Sequence, residues 1–280
     1  MMNHPKVISC TCCHSNRFKT HLGDLLSCTA CGHIVANLDL DSLDTKKIYT
    51  IDYFQQGEYL DYINDKDCFN KNFQDRLKSI RQHQSSGRLL EIGSASGFFL
   101  NLASKHFETT GYEICEEMAN YAKSEFDLNI KSVDFTQDDV PHEYYDVAVM
   151  WDCIEHLTHP AVLFKKIHGA LKKNGVVALT TGDIGSFMAK VQGRKWRLIH
   201  PPTHLHYFTK QSMTTFLKNQ GFEILSIQYP GFHRSVRQMF YGTTINREKK
   251  SRYSMKDKPW AGIPIYLNLF DIMMVVAKKI

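Results

Sequence analysis

A chain of 280 residues can hold one full domain and a smaller appendage, and its 43% apolar residues can supply a sizeable core. The formal net charge of +5 is a weak pull toward anionic partners, and four thiolates around one zinc would lower it by about two. Lys and His are spread along the chain, the first residues lack the apolar stretch of a secretory signal, and no window reaches the ~18 apolar residues of a spanning helix, so a cytoplasmic protein without a membrane span is expected.

Five of the eight cysteines crowd the N-terminal part: Cys10, Cys12, Cys13, Cys28 and Cys31, with Cys68, Cys115 and Cys153 isolated. Cys10 and Cys13 form one CxxC, Cys28 and Cys31 another, fourteen residues apart. That spacing lets two short knuckles converge on one tetrahedral ion, the geometry zinc prefers. A disulfide framework would be unusual in a cytosolic chain of this size, and a redox or merely buried cysteine set is the alternative. Cys12 competes with Cys13, and His14 or His33 can stand in for a thiolate. Four protein ligands would close the site, so it reads as a folding device or recognition arm.

From Leu38 to Asp67 the chain is acidic and aromatic, with Tyr49, Tyr53, Phe54, Tyr59 and Tyr62, and reads as a connector laid across the larger domain. Phe69, Phe73, Leu77 and Ile80 recur at three- and four-residue spacing, which predicts one packing face of a helix. Arg88 to Ile92 is a short apolar strand, followed by the turn Gly93-Ser94-Ala95-Ser96-Gly97 and a helical segment from Phe98. Glycines there let backbone approach a ligand, and the helix N-terminus adds unsatisfied amide donors.

A second strand around Thr109 to Ile114 ends at Glu113, with a helix over Glu117 to Phe126. Glu113 lies twenty residues beyond Gly93, the distance at which an acid ending the second strand of an open α/β fold can accept hydrogen bonds from both ribose hydroxyls. Further strands are expected at Ile130 to Val133, Tyr145 to Trp151 and Val176 to Thr180, with a helix over Ala161 to Leu171. Repeated units of this kind imply a doubly wound α/β fold with a mostly parallel sheet whose carboxyl ends carry the ligand loops. A GxGxxG dinucleotide fingerprint and a GxxxxGK phosphate loop are both missing, which argues against hydride transfer and nucleotide hydrolysis.

The segment LLEIGSASGFFL resembles the first motif of class I S-adenosylmethionine-dependent methyltransferases, with Ala95 in place of the middle glycine. The resemblance continues through GYEICEEMANYAK, DVAVMWDCIEHLTHP, LKKNGVVALTTGD and HLHYFTKQSMTTFLKNQGFEI, covering most of residues 10 to 229. The cysteine pairs followed by IDYFQQGEYLDY also resemble a bacterial subgroup with an N-terminal zinc-ribbon-like module, in which small-molecule or sugar methyltransferases are common.

The resemblance implies a seven-stranded Rossmann-like sheet and three segments: a zinc-ribbon-like module over 1–40, a connector and helical segment over 41–85, and the S-adenosylmethionine-dependent domain over 86–280. It places Gly93, Ala95 and Gly97 around the amino-acid part and sugar edge of the cofactor and Glu113 on the ribose. Asp134 is then the acceptor for the adenine amino group, in competition with Asp138 and Asp139, and Phe135 flanks the base. Glu91 organises the turn or meets the cofactor ammonium through water, and Asp152 either caps or faces the pocket.

A hydroxyl acceptor benefits from a base, for which neutral histidine is suited. His156 lies four residues after Asp152, so the two can share a helical face; a capping or core role is the alternative. His204 and His206 alternate in THLHY and face one side of an extended chain, as a substrate-facing residue or as a structural pair. Arg197 and His200, with Arg194 and Lys195, either clamp a phosphate or carboxylate or belong to a solvated loop, and Trp196 and Tyr207 form an apolar wall or packing. The basic stretch from Pro230 to Lys250, with Phe232, Phe240 and Tyr241, is a lid or insertion before a last strand at Asp271 to Ala277. Ile263, Ile265 and Leu269 are compatible with a homodimer contact.

The expected activity is methyl transfer from S-adenosylmethionine to a nucleophile, a hydroxyl before others, of a small metabolite or sugar-like acceptor, beside a structural zinc. A zinc-containing RNA methyltransferase and a non-catalytic metal-stapled binding protein are the alternatives. No continuous basic stripe favours nucleic acid.

Overall fold

The computed structural model describes residues 9–51, 53–54, 62–239 and 259–280. Three short strands come first: β1 (Phe18–His21), β2 (Leu25–Cys28) and β3 (Ile34–Ala36) form an antiparallel meander. Each CxxC closes a tight turn beside it, with the His14 amide on the Cys10 carbonyl at 2.8 Å and the Gly32 amide on the Cys28 carbonyl at 2.9 Å. After a helical turn, α1 (Thr45–Ile48), comes α2 (Lys66–Arg81), which buries Phe73, Leu77 and Ile80 as the spacing predicts.

The larger part then alternates: β4 (Gly87–Ile92), α3 (Phe98–Ala103), β5 (Phe107–Tyr112), α4 (Glu116–Phe126), β6 (Ile130–Lys131), β7 (Tyr145–Trp151), α5 (Pro160–Ala170) and β8 (Leu171–Gly182). It ends with α6 (Phe187–Gln192), β9 (His206–Tyr207), α7 (Lys210–Asn219), β10 (Phe222–Gln228), the antiparallel pair β11 (Phe232–Ser235) and β12 (Pro264–Leu267), and β13 (Ile272–Lys279). Seven strands make one sheet in the order β10-β13-β8-β7-β4-β5-β6. β8, β7, β4, β5 and β6 run parallel, and β13 is antiparallel to both its neighbours. The mostly parallel seven-stranded sheet expected from sequence is therefore present.

Its strands are apolar on both sides, as burial on both faces requires. In β7, Ala148 and Met150 point to one face and Val147, Val149 and Trp151 to the other. In β13, Met273, Val275 and Ala277 share the first face, Met274 and Val276 the second. Leu163, Phe164 and Ile167 of α5 and Met213, Phe216 and Leu217 of α7 cover the first; α2, α3 and α4 cover the second. Crossover helices on both faces leave the carboxyl ends of the parallel strands on one rim, where loops rather than helices meet.

The N-terminal meander is joined to this body. β3 pairs antiparallel with β9, with Ile34 opposite Tyr207 and Val35 opposite His206. Asn219 at the end of α7 donates to the Cys12 carbonyl at 2.8 Å, and Cys10, Cys12, Cys28 and Cys31 pack into the α5–α7 face of the core. Tyr59, Phe240, Tyr241 and the rest of the basic stretch 240–250 lie outside the described residues. Among the described residues no helix is long and apolar enough to cross a membrane.

Because the meander shares a sheet with β9, its loss is expected to weaken the whole molecule. Replacing Cys31→Ser should lower the thermal midpoint by at least about 4 °C, the shift that roughly 1–2 kcal/mol produces in a chain of this size. A differential scanning calorimetry trace whose main transition does not move would mean the two parts unfold independently.

Candidate functional site

At the carboxyl ends of β4, β5 and β7 the structure holds a cavity of about 420 Å³. Its wall includes Gly93 and Ala95 after β4, Glu113 after β5, Asp134 and Phe135 after β6, and Trp151, Asp152 and His156 after β7. This is the rim where an open parallel sheet collects its ligand loops.

The turn after β4 needs left-handed backbone at three places: Gly93 at φ +72°, Ala95 at +45° and Gly97 at +74°. At Gly97 a side chain would also sit 2.7 Å from Leu128 and 2.8 Å from Ala122, so glycine is demanded by both conformation and space. Gly97 shapes the turn and the start of α3 and does not itself line the cavity. Ala95 takes a conformation that favours glycine, a cost of about 1 kcal/mol for an L-residue. The gain is a specific bond: the Ala95 amide donates to Glu113 Oε2 at 2.8 Å, while the Cys115 amide donates to Oε1 at 2.8 Å.

Glu113 is thus a buried acid clamped between the two ligand turns. Burial raises its pKa, and the Cys115 and Ala95 amides oppose that rise. Glu91, one face over on β4, is also buried, and its Oε2 has no hydrogen-bond partner among the described residues. Burial and the Glu113 charge push Glu91 well above the usual carboxylate range, and the Arg76 guanidinium pulls it back. Burial and the repulsion between the two acids thus both favour the neutral form of Glu91, which leaves it a polar group buried with one oxygen unsatisfied. Asp134 Oδ1 accepts from the Thr136 amide at 2.8 Å and hydroxyl at 2.7 Å, and nothing among the described residues engages Oδ2. Phe135 stands edge-on to Tyr112, with ring centres 4.9 Å apart.

Asp152, at φ +49°, is held from two sides: Thr180 Oγ1 donates to Oδ1 at 2.9 Å and Arg76 Nη2 to Oδ2 at 3.1 Å. It both anchors its turn and lines the cavity. Arg76 was not a sequence candidate, since it sits on the buried face of α2 where only apolar spacing was legible. Its guanidinium lies 5.0 Å from the Trp151 ring centre and 5.3 Å from that of Phe73. The connector aromatics Tyr49, Tyr53, Phe54 and Tyr62, read from sequence as a packing connector, also line the cavity.

His156 faces the cavity, and His204 stacks edge-on behind it with ring centres 4.5 Å apart. His156 Nδ1 lies 2.9 Å from the Thr203 carbonyl, and His204 Nδ1 2.8 Å from the Leu198 carbonyl. A carbonyl only accepts, so both Nδ1 atoms carry the proton and each Nε2 keeps a lone pair. Burial lowers the pKa of His156 to about 4 and that of His204 well below its ordinary value.

The other expected site residues lie off the cavity. His206 is buried against the meander, its Nδ1 3.0 Å from His33 Nε2. Trp196 is buried and donates Nε1 to Asp271 Oδ2 at 2.9 Å. Arg197 grips both oxygens of the same Asp271 through Nη1 and Nη2, so its charge is spent inside the fold rather than on a ligand. Tyr207 donates to the His204 carbonyl at 2.9 Å, and His200 Nδ1 lies 2.5 Å from Thr203 Oγ1. These side chains shape the loop that carries His204.

The two CxxC knuckles converge: one sulfur each from Cys10, Cys13, Cys28 and Cys31 lies within 4.8 Å of the others. Cys10 Sγ to Cys31 Sγ and Cys13 Sγ to Cys28 Sγ are both 3.6 Å, close to the ~3.8 Å edge of a tetrahedron with zinc–sulfur bonds of about 2.3 Å. Cys12 is outside this group, its side chain packed in the core. The set could hold a structural zinc, and none of the four cysteines lines the cavity.

The sequence model of a family described as "Methyltransferase domain" matches residues 64–227, more than half of the chain. The uncharacterized protein MJ1123 of Methanocaldococcus jannaschii is 24% identical over 169 residues, 59% of this chain and 78% of that protein. Among solved structures, the YcgJ protein of Bacillus subtilis matches with a TM-score of 0.54 at 14% identity, covering 75% of this chain and 98% of that one. A SAM dependent methyltransferase from Archaeoglobus fulgidus matches with a TM-score of 0.52 at 17% identity, covering 75% and 94%. Magnesium protoporphyrin IX methyltransferase from Synechocystis, solved with bound SAH, gives 0.52 at 12% identity, covering 78% and 87%. At these identities the structural likeness is one of fold.

The turn geometry makes opposite demands at neighbouring positions. Ala95→Gly is expected to raise unfolding free energy by up to about 1 kcal/mol, and Gly97→Ala to lower it by more than that, as read by urea denaturation. Equal effects at the two positions would contradict the backbone assignment.

Proposed function

This chain belongs to the methyltransferase domain family, and we propose that it methylates a hydroxyl of a small metabolite or sugar-like acceptor, using S-adenosylmethionine, in the cytoplasm. The observation that carries this reading is the cavity itself, with Glu113 clamped at one side and Tyr49, Tyr53, Phe54 and His156 on its wall. A volume of about 420 Å³ lies in the range of small-molecule sites, and aromatic faces beside a few convergent polar groups suit a ring-bearing metabolite better than a polymer.

The residues present fit the cofactor. Each Glu113 oxygen has one backbone donor, which leaves lone pairs for the ribose hydroxyls. Asp134 Oδ2 suits the adenine amino group, and Phe135 flanks the base. Gly93 and Ala95 let backbone approach the amino-acid part, and Glu91, buried and off the cavity wall, organises the turn. Asp152 completes the wall between the two ligands. S-adenosylmethionine, when bound, supplies a methyl group already activated by the sulfonium charge. The chain's own work is then to align the acceptor and exclude water, which supplies much of the rate. In this reading His156 is the polar side chain that meets the acceptor, its ring fixed by the Thr203 carbonyl at Nδ1.

The four-cysteine meander supports assignment to the bacterial subgroup with an N-terminal zinc ribbon. Free thiolates for such a site persist in a reducing compartment. We propose the segments 1–40, 41–85 and 86–280 as ribbon, connector and catalytic domain, with the connector closing the acceptor side of the cavity.

In titration calorimetry of the full, zinc-loaded chain, saturable binding of S-adenosylhomocysteine is expected, weakened at least tenfold by Glu113→Ala, about 1.4 kcal/mol. Unchanged affinity in that variant would remove Glu113 from the ribose. Methyl transfer to RNA but to no member of a metabolite panel would move the acceptor class to nucleic acid.

A further inference from the structure

Glu155, His156 and His204 form a second converging group, separate from the four cysteines. One ligand atom from each lies within 4.8 Å of the other two. Glu155 and His156 share a short 3-10 turn, Ile154–His156, at the carboxyl end of β7. The Leu205 amide donates to the Glu155 carbonyl at 2.8 Å, which pins the loop bearing His204 against that turn. Glu155 and His204 are buried, and His156 reaches the cavity wall.

A hydrogen bond from one ring nitrogen to backbone is the contact that orients metal-bound imidazoles, and both histidines make one. In both histidines the Nδ1 proton is committed to a backbone carbonyl, of Thr203 and of Leu198, which fixes the tautomer and leaves Nε2 as the only nitrogen able to bind a cation. Two imidazoles and one carboxylate are the donor set of open zinc-type sites, in which three protein ligands leave a position for an oxygen from outside. Contraction of the triangle by about 1 Å through side-chain rotation would bring the donors to bonding distance of one ion.

We propose that Glu155, His156 and His204 bind a divalent first-row ion of the zinc class at the wall of the cavity, with its open position directed to an acceptor oxygen. The ion site stands without the proposed reading; only the identity of the oxygen rests on that reading. With an ion on Nε2, His156 holds the metal, and the ion lowers the pKa of the bound hydroxyl, whose proton leaves to solvent. The acceptor class narrows accordingly to alcohols, enols or phenols able to ligate a metal.

The test uses the full chain with its cysteine site filled by zinc, to which cobalt(II) is then added, because zinc outcompetes cobalt for thiolates. One further equivalent is expected, with visible ligand-field bands and without thiolate-to-cobalt charge transfer. Glu155→Gln and His204→Gln should each lose that equivalent while still binding S-adenosylhomocysteine, which reports a folded cofactor end. No uptake by the wild-type chain, uptake with thiolate charge-transfer bands, or uptake that persists in both variants would overturn the proposal. Loss of S-adenosylhomocysteine binding by the wild-type chain would count against the methyltransferase reading and leave the cobalt result to be judged on its own.

Discussion

The carboxylate of Glu113, buried and gripped by the amides of Ala95 and Cys115, is the interaction on which the cavity depends. It ties the turn after β4 to the start of α4 after β5, two segments that the parallel sheet brings side by side but does not itself join. A buried acid is costly unless hydrogen-bonded, and here the bonds come from backbone donors that helix and turn geometry leave unsatisfied. The left-handed Ala95 is explained by the same bond, since that conformation accompanies the amide placed on Oε2. Glu91 and Arg76 extend the arrangement outward, and Arg76 passes it on to Asp152 on the next strand.

A second set of constraints holds the His156 side of the cavity. β9 completes the cysteine-bearing meander, and the loop before it is anchored by Asp271 through Trp196 and Arg197. That loop carries His204 up to His156. The N-terminal module thus acts on the cavity indirectly, by holding the segment from which one wall residue's neighbour projects.

Local patterns were legible in the sequence where they are set by near neighbours. The apolar run Tyr145–Trp151 is β7 as expected, and the spacing Phe73, Leu77, Ile80 is the buried face of α2. The paired CxxC motifs foretold a converging thiolate group because each knuckle is a short turn. Pairings over long distances were not legible. Nothing in RKWR tells that Arg197 will find Asp271, 74 residues on, so a paired structural charge reads as a free clamp. His206 likewise alternates with His204, yet strand pairing with β3 sets it against His33, 173 residues earlier, and off the cavity wall. The connector tyrosines carry no period that separates a pocket wall from packing. Short elements such as α6, six residues long and capped by Ser186, are too brief for a periodic signal.

The central claim is that the rim of β4, β5 and β7 holds an adenosyl cofactor with the acceptor on the His156 side. A crystal structure of the chain with S-adenosylhomocysteine tests it most directly. The account predicts both ribose hydroxyls on the Glu113 carboxylate, adenine beside Phe135 and the sulfur directed toward His156. Density for the ligand at another rim, or a ribose bound without Glu113, would contradict it.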